Sequence, residues 1–178
     1  MKSTPKFSKV PKFPSIIATS IVDIVDFITW NSMNGSSFVG VFVPNSSISI
    51  SLIKEYIFEK QSNHLRFKLV KENKDRLILV NELTSEEIHI VLLSGRAQYL
   101  EYFRSDKLCE DIQVNDLADY LQTNKIDMLF LCGTRQLGDF PPLSLKSCEI
   151  HYVSSPLSRL EFYVVQDRFS RSEQRHGS

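Results

Sequence analysis

Arg175 and Gly177 set a forked cation and an unhindered backbone N–H two residues apart, with His176 between them. A guanidinium chelates phosphate oxygens and glycine lets an anion approach the main chain closely, so this short run suits a diphosphate. Other residue types that do chemistry are spread thinly. Cys109, Cys132 and Cys148 are odd in number and form no C-x-x-C pair, which fits a reducing compartment. His64, His89, His151 and the same His176 do not fall at metal-ligand spacing with them, so no metal site is expected within this chain. Asp23 and Asp26 stand at i, i+3 near a predicted helix start, where a favourable interaction with the helix dipole accounts for them. A G-x-x-x-x-G-K-[ST] loop, a G-x-G-x-x-G turn, a G-x-S-x-G elbow and an H-E-x-x-H helix are all missing, which disfavours the common α/β enzyme classes.

The elements that must position such residues alternate along the chain. SIIATS (15–20) and FVGVFV (38–43) are short apolar runs bounded by proline and are predicted as buried strands. Between them Ile21, Ile24, Val25, Phe27 and Ile28 recur at helical spacing up to the stop signal Asn34-Gly35. A second helix is predicted over 46–61, with Asn45, Ser46 and Ser47 as capping residues. The charged stretch 62–76 is expected to be an irregular connection with a short strand at 65–70. RLILVNE and EEIHIVLLS are strand-like; 97–111 and 114–123 are helical by spacing. IDMLFLCG (126–133) is the clearest buried strand and CEIHYV (148–153) the last one. The final helix opens at Ser155-Pro156, a cap followed by a first-turn proline. Strands alternating with helices imply an α/β fold with a mostly parallel central sheet flanked by helices, and ligands in such sheets sit beyond the carboxyl ends of the strands.

A chain of 178 residues accommodates one domain with a substantial core, read as a flexible lead-in over 1–14 and a single domain over 15–178. Its 42% hydrophobic and 24% charged residues are those of a globular protein. Lys plus Arg equals Asp plus Glu at 21 each, so no net field advertises nucleic acid or an anionic membrane, and any anion site must be local. The apolar stretch 16–30 is interrupted by Asp23 and Asp26 and is shorter than the roughly 20 residues that a bilayer span needs, so no transmembrane segment is expected.

The loop after the clearest strand carries a resemblance. DMLFLCGTRQLGDFPPLSLKSCEI, residues 127–150, resembles the corresponding part of the cis-prenyltransferase family. More narrowly, it is similar to the non-catalytic, Nogo-B receptor type of subunit in eukaryotic dehydrodolichyl diphosphate synthase. In that type a Leu-rich strand leads to a Gly-containing loop and then Gly-Phe-(Leu/Pro)-Pro-Trp; here Gly138-Asp139-Phe140-Pro141-Pro142-Leu143 stands in that place. The same type ends on Arg-x-Gly preceded by Glu-Gln, matched by Glu173-Gln174-Arg175-His176-Gly177 about 30 residues further on. FITWNSMNGSSFVGVFV and VNDLADYLQTNKIDMLFL extend the resemblance more weakly to the first helix, the second strand and the helix before the diagnostic strand. Departures are informative. Catalytic members carry Asp-Gly-Asn after the first strand, where this chain has Ala18-Thr19-Ser20-Ile21. Their Arg-Thr-Ser-Gly-Glu-x-Arg loop is replaced by Leu131-Cys132-Gly133-Thr134-Arg135, in which only Arg135 could substitute and a solvated loop arginine is the simpler reading. The usual Trp is Leu143, Arg-Leu-Thr-Glu becomes Lys146-Ser147-Cys148-Glu149, and Ser178 follows the glycine.

The resemblance implies a cis-prenyltransferase fold and an accessory but required subunit, inactive alone, of a heteromeric transferase. That complex makes long-chain polyprenyl diphosphate for dolichol and protein glycosylation from isopentenyl and farnesyl diphosphates. Arg175 and Gly177 are then the residues that complete the catalytic subunit's diphosphate site, with His176 beside the substrate. The guanidinium neutralises the diphosphate of isopentenyl diphosphate, and the Gly177 N–H donates to a phosphate oxygen near Mg2+, an ion held by the partner and the substrate. Phe140, Pro141, Pro142 and Leu143 form an apolar, stiff loop suited either to the heterodimer contact or to packing within the monomer. The implied location is the cytosolic face of the endoplasmic reticulum membrane, reached indirectly through the partner. The rival expectation is a non-enzymatic scaffold, or a lipid- or receptor-binding protein, that retains the fold.

Overall fold

Alternating strand and helix patterns become a seven-stranded sheet in the computed structural model, which describes residues 9–44, 47–93, 126–137 and 148–172. The strands are β1 (Pro14–Ile17), β2 (Phe38–Phe42), β3 (Phe67–Glu72), β4 (Arg76–Asn81), β5 (Glu87–Leu93), β6 (Met128–Cys132) and β7 (Glu149–Val153). The helices are α1 (Ile21–Met33), α2 (Ile50–Glu59) and α3 (Arg159–Ser172). Across the sheet the strands run β3-β4-β5-β2-β1-β6-β7. β5, β2, β1, β6 and β7 are mutually parallel. β4 opposes both its neighbours. The sequence-based expectation of an α/β protein with a mostly parallel, helix-flanked sheet therefore holds.

The period-two alternation of the strands sorts their side chains into two cores. Ile16, Val39, Val41, Ile90, Met128 and Phe130 point to one face, where α1, α2 and α3 pack. Ile17, Phe42, Val91, Leu93, Leu129 and Leu131 point to the other. On the first face Phe27 of α1, Phe130 of β6 and Phe162 of α3 form a triangle, with ring centroids 5.0, 6.1 and 5.9 Å apart. Each buried phenylalanine contributes roughly 1.5–3 kcal/mol, and the edge-on geometry adds to it. This cluster anchors the middle of α3. A buried amide pair reinforces it, Gln166 Nε2 donating to Asn31 Oδ1 at 3.4 Å while Asn31 Nδ2 donates to the Phe27 carbonyl at 2.8 Å.

Several boundaries differ from the sequence reading, each for a local reason. The stretch 62–76 is not an irregular connection: β3 occupies 67–72 and forms an antiparallel hairpin with β4, closed by Asn73 N–H donating to the Arg76 carbonyl at 2.8 Å. α2 begins at Ile50 rather than 46, and its cap is Ser49, whose hydroxyl accepts from Leu52 N–H at 3.2 Å. Ile48 and Ile53 are both buried in the same core, a staple-like pairing of the residues flanking the cap that fixes where the helix starts. Likewise α3 starts at Arg159, not at Ser155-Pro156. Its cap is Ser158, whose hydroxyl accepts from Glu161 N–H at 3.1 Å. α1 ends as expected, with Asn34 as cap and Gly35 at a φ of +88°. Residues 12 and 13, read as lead-in, are held by Asp127, which accepts from Lys12 N–H at 2.6 Å and Phe13 N–H at 2.9 Å. The helices expected at 97–111 and 114–123 lie outside the described residues.

Candidate functional site

The order of strands reverses between β1 and β6, since the chain moves from β1 towards β2 on one side and later returns to β6 on the other. In such sheets the crevice beyond the carboxyl ends at this point is where ligands bind. Here it is bounded by Ala18, Thr19 and Ser20 after β1 and by Gly133, Thr134 and Arg135 after β6. Ser20 has the extended backbone of an N-cap but makes no side-chain capping bond, so the first turn of α1 meets the crevice with its backbone N–H groups.

The negative charge at that point comes from the protein itself. Asp23, only 2% exposed, projects from the first turn of α1. Its Oδ2 accepts from the Ser155 hydroxyl at 2.5 Å, and its Oδ1 from the Leu157 N–H at 2.8 Å. The Cys132 thiol lies 3.5 Å from Oδ2 and 3.3 Å from the Ser154 carbonyl, either of which can accept its proton. Burial, with the Asp23 and Glu161 carboxylates second to it, pushes that thiol up to about 12, so it stays protonated as a donor. The dipole reading of Asp23 is thus incomplete: the carboxylate also clamps the connection between β7 and α3. Asp26, by contrast, is partly exposed and pairs with Lys60 at 2.7 Å.

Beside the crevice a cavity of about 360 Å³ is lined by Thr134, Arg135, Tyr152 and Glu161 among others. Arg135 is exposed, as a solvated loop arginine should be. Glu161 lines the same cavity, with its oxygens accepting from Ser154 N–H at 3.1 and 3.3 Å, and its charge opposes an anion there. No group of three or more His, Cys, Asp or Glu among the described residues is placed to hold a metal ion. His64 is exposed after α2, while His89 and His151 lie on β5 and β7. The described side chains at this crevice do not fit a magnesium–diphosphate site.

A second region lies on the outer side of β7. An open groove of about 580 Å³ runs between β7 and α3, lined by Ile150, Tyr152, Leu160, Val164 and Arg168 with neighbours. Tyr152 is 63% exposed and Leu160 76%, large apolar surface for adjoining positions. β7 closes the sheet on this side, with no described strand beyond it.

α3 connects the two regions. It starts where Asp23 holds Ser155 and Leu157, and its 14 residues run back along the sheet for about 20 Å. It ends with the Ser172 hydroxyl donating to Glu149 at the amino end of β7. A fully extended chain spans at most about 3.6 Å per residue, so Gly177, five residues on, reaches about 18 Å at most. That reach is close to the length of α3 itself.

The residues singled out from sequence divide accordingly. Phe140, Pro141, Pro142 and Leu143, and Arg175, His176 and Gly177, lie outside the described residues. The first group falls between Leu137, after β6, and Cys148, before β7, and the second follows Ser172, the last residue of α3. Sequence reasoning missed Ser158 and Glu161 and the clamping role of Asp23, and it read Ser155 as a helix cap where the structure makes it a donor to Asp23. Two signals could have found them: the Ser-x-x-Glu pattern of 158–161, and the place of Asp23 on the buried stripe with Ile24, Phe27, Ile28 and Asn31. Among the described residues no helix is long and apolar enough to cross a membrane. Compared with known proteins, the chain matches no protein-family model, and no curated protein is significantly similar to it.

Proposed function

We propose that this chain is the accessory subunit of a heteromeric cis-prenyltransferase, of the type that makes dehydrodolichyl diphosphate, and that its tail completes the diphosphate site of a catalytic partner. The observation that carries this reading is the course of α3, which delivers the chain to the end of the sheet remote from its own crevice. In this reading Arg175 and Gly177 serve a neighbouring subunit. The motif Glu173-Gln174-Arg175-His176-Gly177 supplies the chemistry. A guanidinium and a glycine N–H together neutralise and orient a diphosphate, the charge stabilisation that an acceptor isopentenyl diphosphate needs while pyrophosphate leaves farnesyl diphosphate. His176 lies between them at the edge of the substrate.

The crevice of this chain supports the same division of labour. Ala18, Thr19 and Ser20 offer no carboxylate after β1, and the nearest one, Asp23, is fully engaged by Ser155 and Leu157. Mg2+ therefore belongs to the partner and the substrate in this reading. The surface for the partner is the groove between β7 and α3, and Phe140, Pro141, Pro142 and Leu143, which precede β7 in sequence, would add to it. Attachment to the cytosolic face of the endoplasmic reticulum would come through that partner.

The test is polyprenyl diphosphate synthesis from isopentenyl and farnesyl diphosphates with Mg2+, comparing this chain, a catalytic cis-prenyltransferase subunit from the same source, and the two co-expressed. Activity at least tenfold above either chain alone is expected from the mixture. A stable complex without enhancement would favour a scaffold that has kept the fold and lost the chemistry.

A further inference from the structure

We propose that the outer face of the β3–β4 hairpin is a docking surface for an anionic lipid bilayer. Strand pairing decides which side chains share that face. Lys68 stands opposite Val80, Lys71 opposite Ile78 and Arg76 opposite Val91. Directly paired residues project to the same side of a sheet, and Val91 belongs to the second core. The three cations therefore lie on the face opposite α1, α2 and α3, with half-buried Ile78 and Val80 between them. Val70, at the register break, is skipped by the pairing with β4 and is 53% exposed.

Charge selects the occupant. The whole chain balances 21 basic against 21 acidic residues, yet residues 66–76 contain five Lys or Arg against two Asp or Glu. Arg66, Lys68, Lys71, Lys74 and Arg76 are all exposed, and none has a carboxylate partner among the described residues. Of the two acids, Glu72 is engaged on the α2 side by Lys54 and Ser51, and only Asp75 stays free in the turn among the cations. Glu82, Glu86 and Glu87 gather at the opposite end of the hairpin, about 17 Å away along β4. Glu87, on β5, pairs with His89 at 3.4 Å. An acidic strand could answer the charge but not the break between Leu69 and Lys71, which interrupts the backbone groups it would need. Nucleic acid could answer the charge but would leave Val70, and Leu69 at 41% exposure, in water. A bilayer answers both: phosphate headgroups meet the cations, lysine stems lie along apolar surface, and valine enters the interface.

This contact does not depend on the function proposed above; it adds a direct attachment to the one assigned there to the partner. The test is flotation of the full chain with vesicles of phosphatidylcholine alone and of phosphatidylcholine with about one-third phosphatidylserine. Binding to the anionic vesicles should be tighter by about tenfold or more and should weaken with salt, since each cation near such a surface contributes about fivefold. Lys68→Gln, Lys71→Gln and Arg76→Gln together should remove about tenfold or more of that affinity. Val70→Ser should remove about fivefold while keeping the salt dependence. With no substitution at all, anionic vesicles should slow hydrogen exchange within 66–76 and leave β7 unchanged, a readout that needs no variant to fold. Equal binding to the two kinds of vesicle, protection confined to residues outside 66–76, or full affinity in the folded triple variant would each overturn the proposal. Single-stranded RNA bound more tightly than anionic vesicles, with Val70→Ser making no difference, would overturn it in favour of nucleic acid.

Discussion

The two edges of the sheet are built differently. β3 carries Lys68 and Lys71 and a register break between Leu69 and Lys71. Glu72, at its end, is engaged by Lys54 at 2.5 Å and Ser51 at 2.8 Å from α2. Lysines and bulges are the devices that keep an edge from pairing with another chain. β7 has neither. Its register with β6 is unbroken from Glu149 to Val153, and it presents Ile150 and Tyr152 beside the open groove under α3. Among the described residues nothing guards this edge beside its apolar surface, which is what a binding face requires, and the guarded edge on the same sheet makes the contrast internal to one molecule.

The largest expected effect separates the edges by charge. Tyr152→Lys should weaken assembly with the catalytic subunit by about 30-fold or more, the scale of losing an interface anchor of about 2 kcal/mol. Val70→Lys, on the exposed bulge of β3, should leave it unchanged; titration by analytical ultracentrifugation reads both. Equal loss from the two substitutions would erase the distinction. A smaller effect separates the edges by pH. Burial holds the His151 imidazole below its ordinary value, with the Arg168 charge adding to this and Glu149, 3.3 Å away, working against it. A base with a lowered folded value contributes stability above the unfolded value of 6.5, and that stability is lost as the pH falls through the folded one. Exchange in β7 and the end of α3, corrected for intrinsic rates, should therefore quicken between pH 7 and 5 while β3 holds, and His151→Gln should remove the difference. The smallest effect belongs to Glu72, whose carboxyl is held below its ordinary value of 4.5 by Lys54 first and Ser51 second. Its contribution is present above 4.5 and disappears as the pH falls through the lowered value, so the Tm of Glu72→Gln should lie slightly below wild type at neutral pH and converge with it in acid.

Much of the fold was legible because it depends on neighbours in sequence. MLFLC of β6 is apolar at every position and is buried at every position. The Asn34-Gly35 stop ends α1 where it was read. The start of α2 was not legible in the same way, since Ser46, Ser47 and Ser49 can all cap and the burial of Ile48 selects among them. β3 was read as a short strand in a connection because most of its side chains are exposed, and its pairing with β4 lies in the backbone. The clamp was the least legible part. Asp23 meets Ser155 and Leu157 across 132 and 134 residues, a separation that no local pattern encodes.

The central claim is that the tail serves a partner's diphosphate, and Arg175→Ala in the assembled complex tests it most directly. Removing one charged contact to a reacting diphosphate should lower prenyl transfer by about a hundredfold. The account predicts that loss with the two subunits still co-eluting at wild-type ratio. Wild-type turnover from an intact Arg175→Ala complex would contradict it.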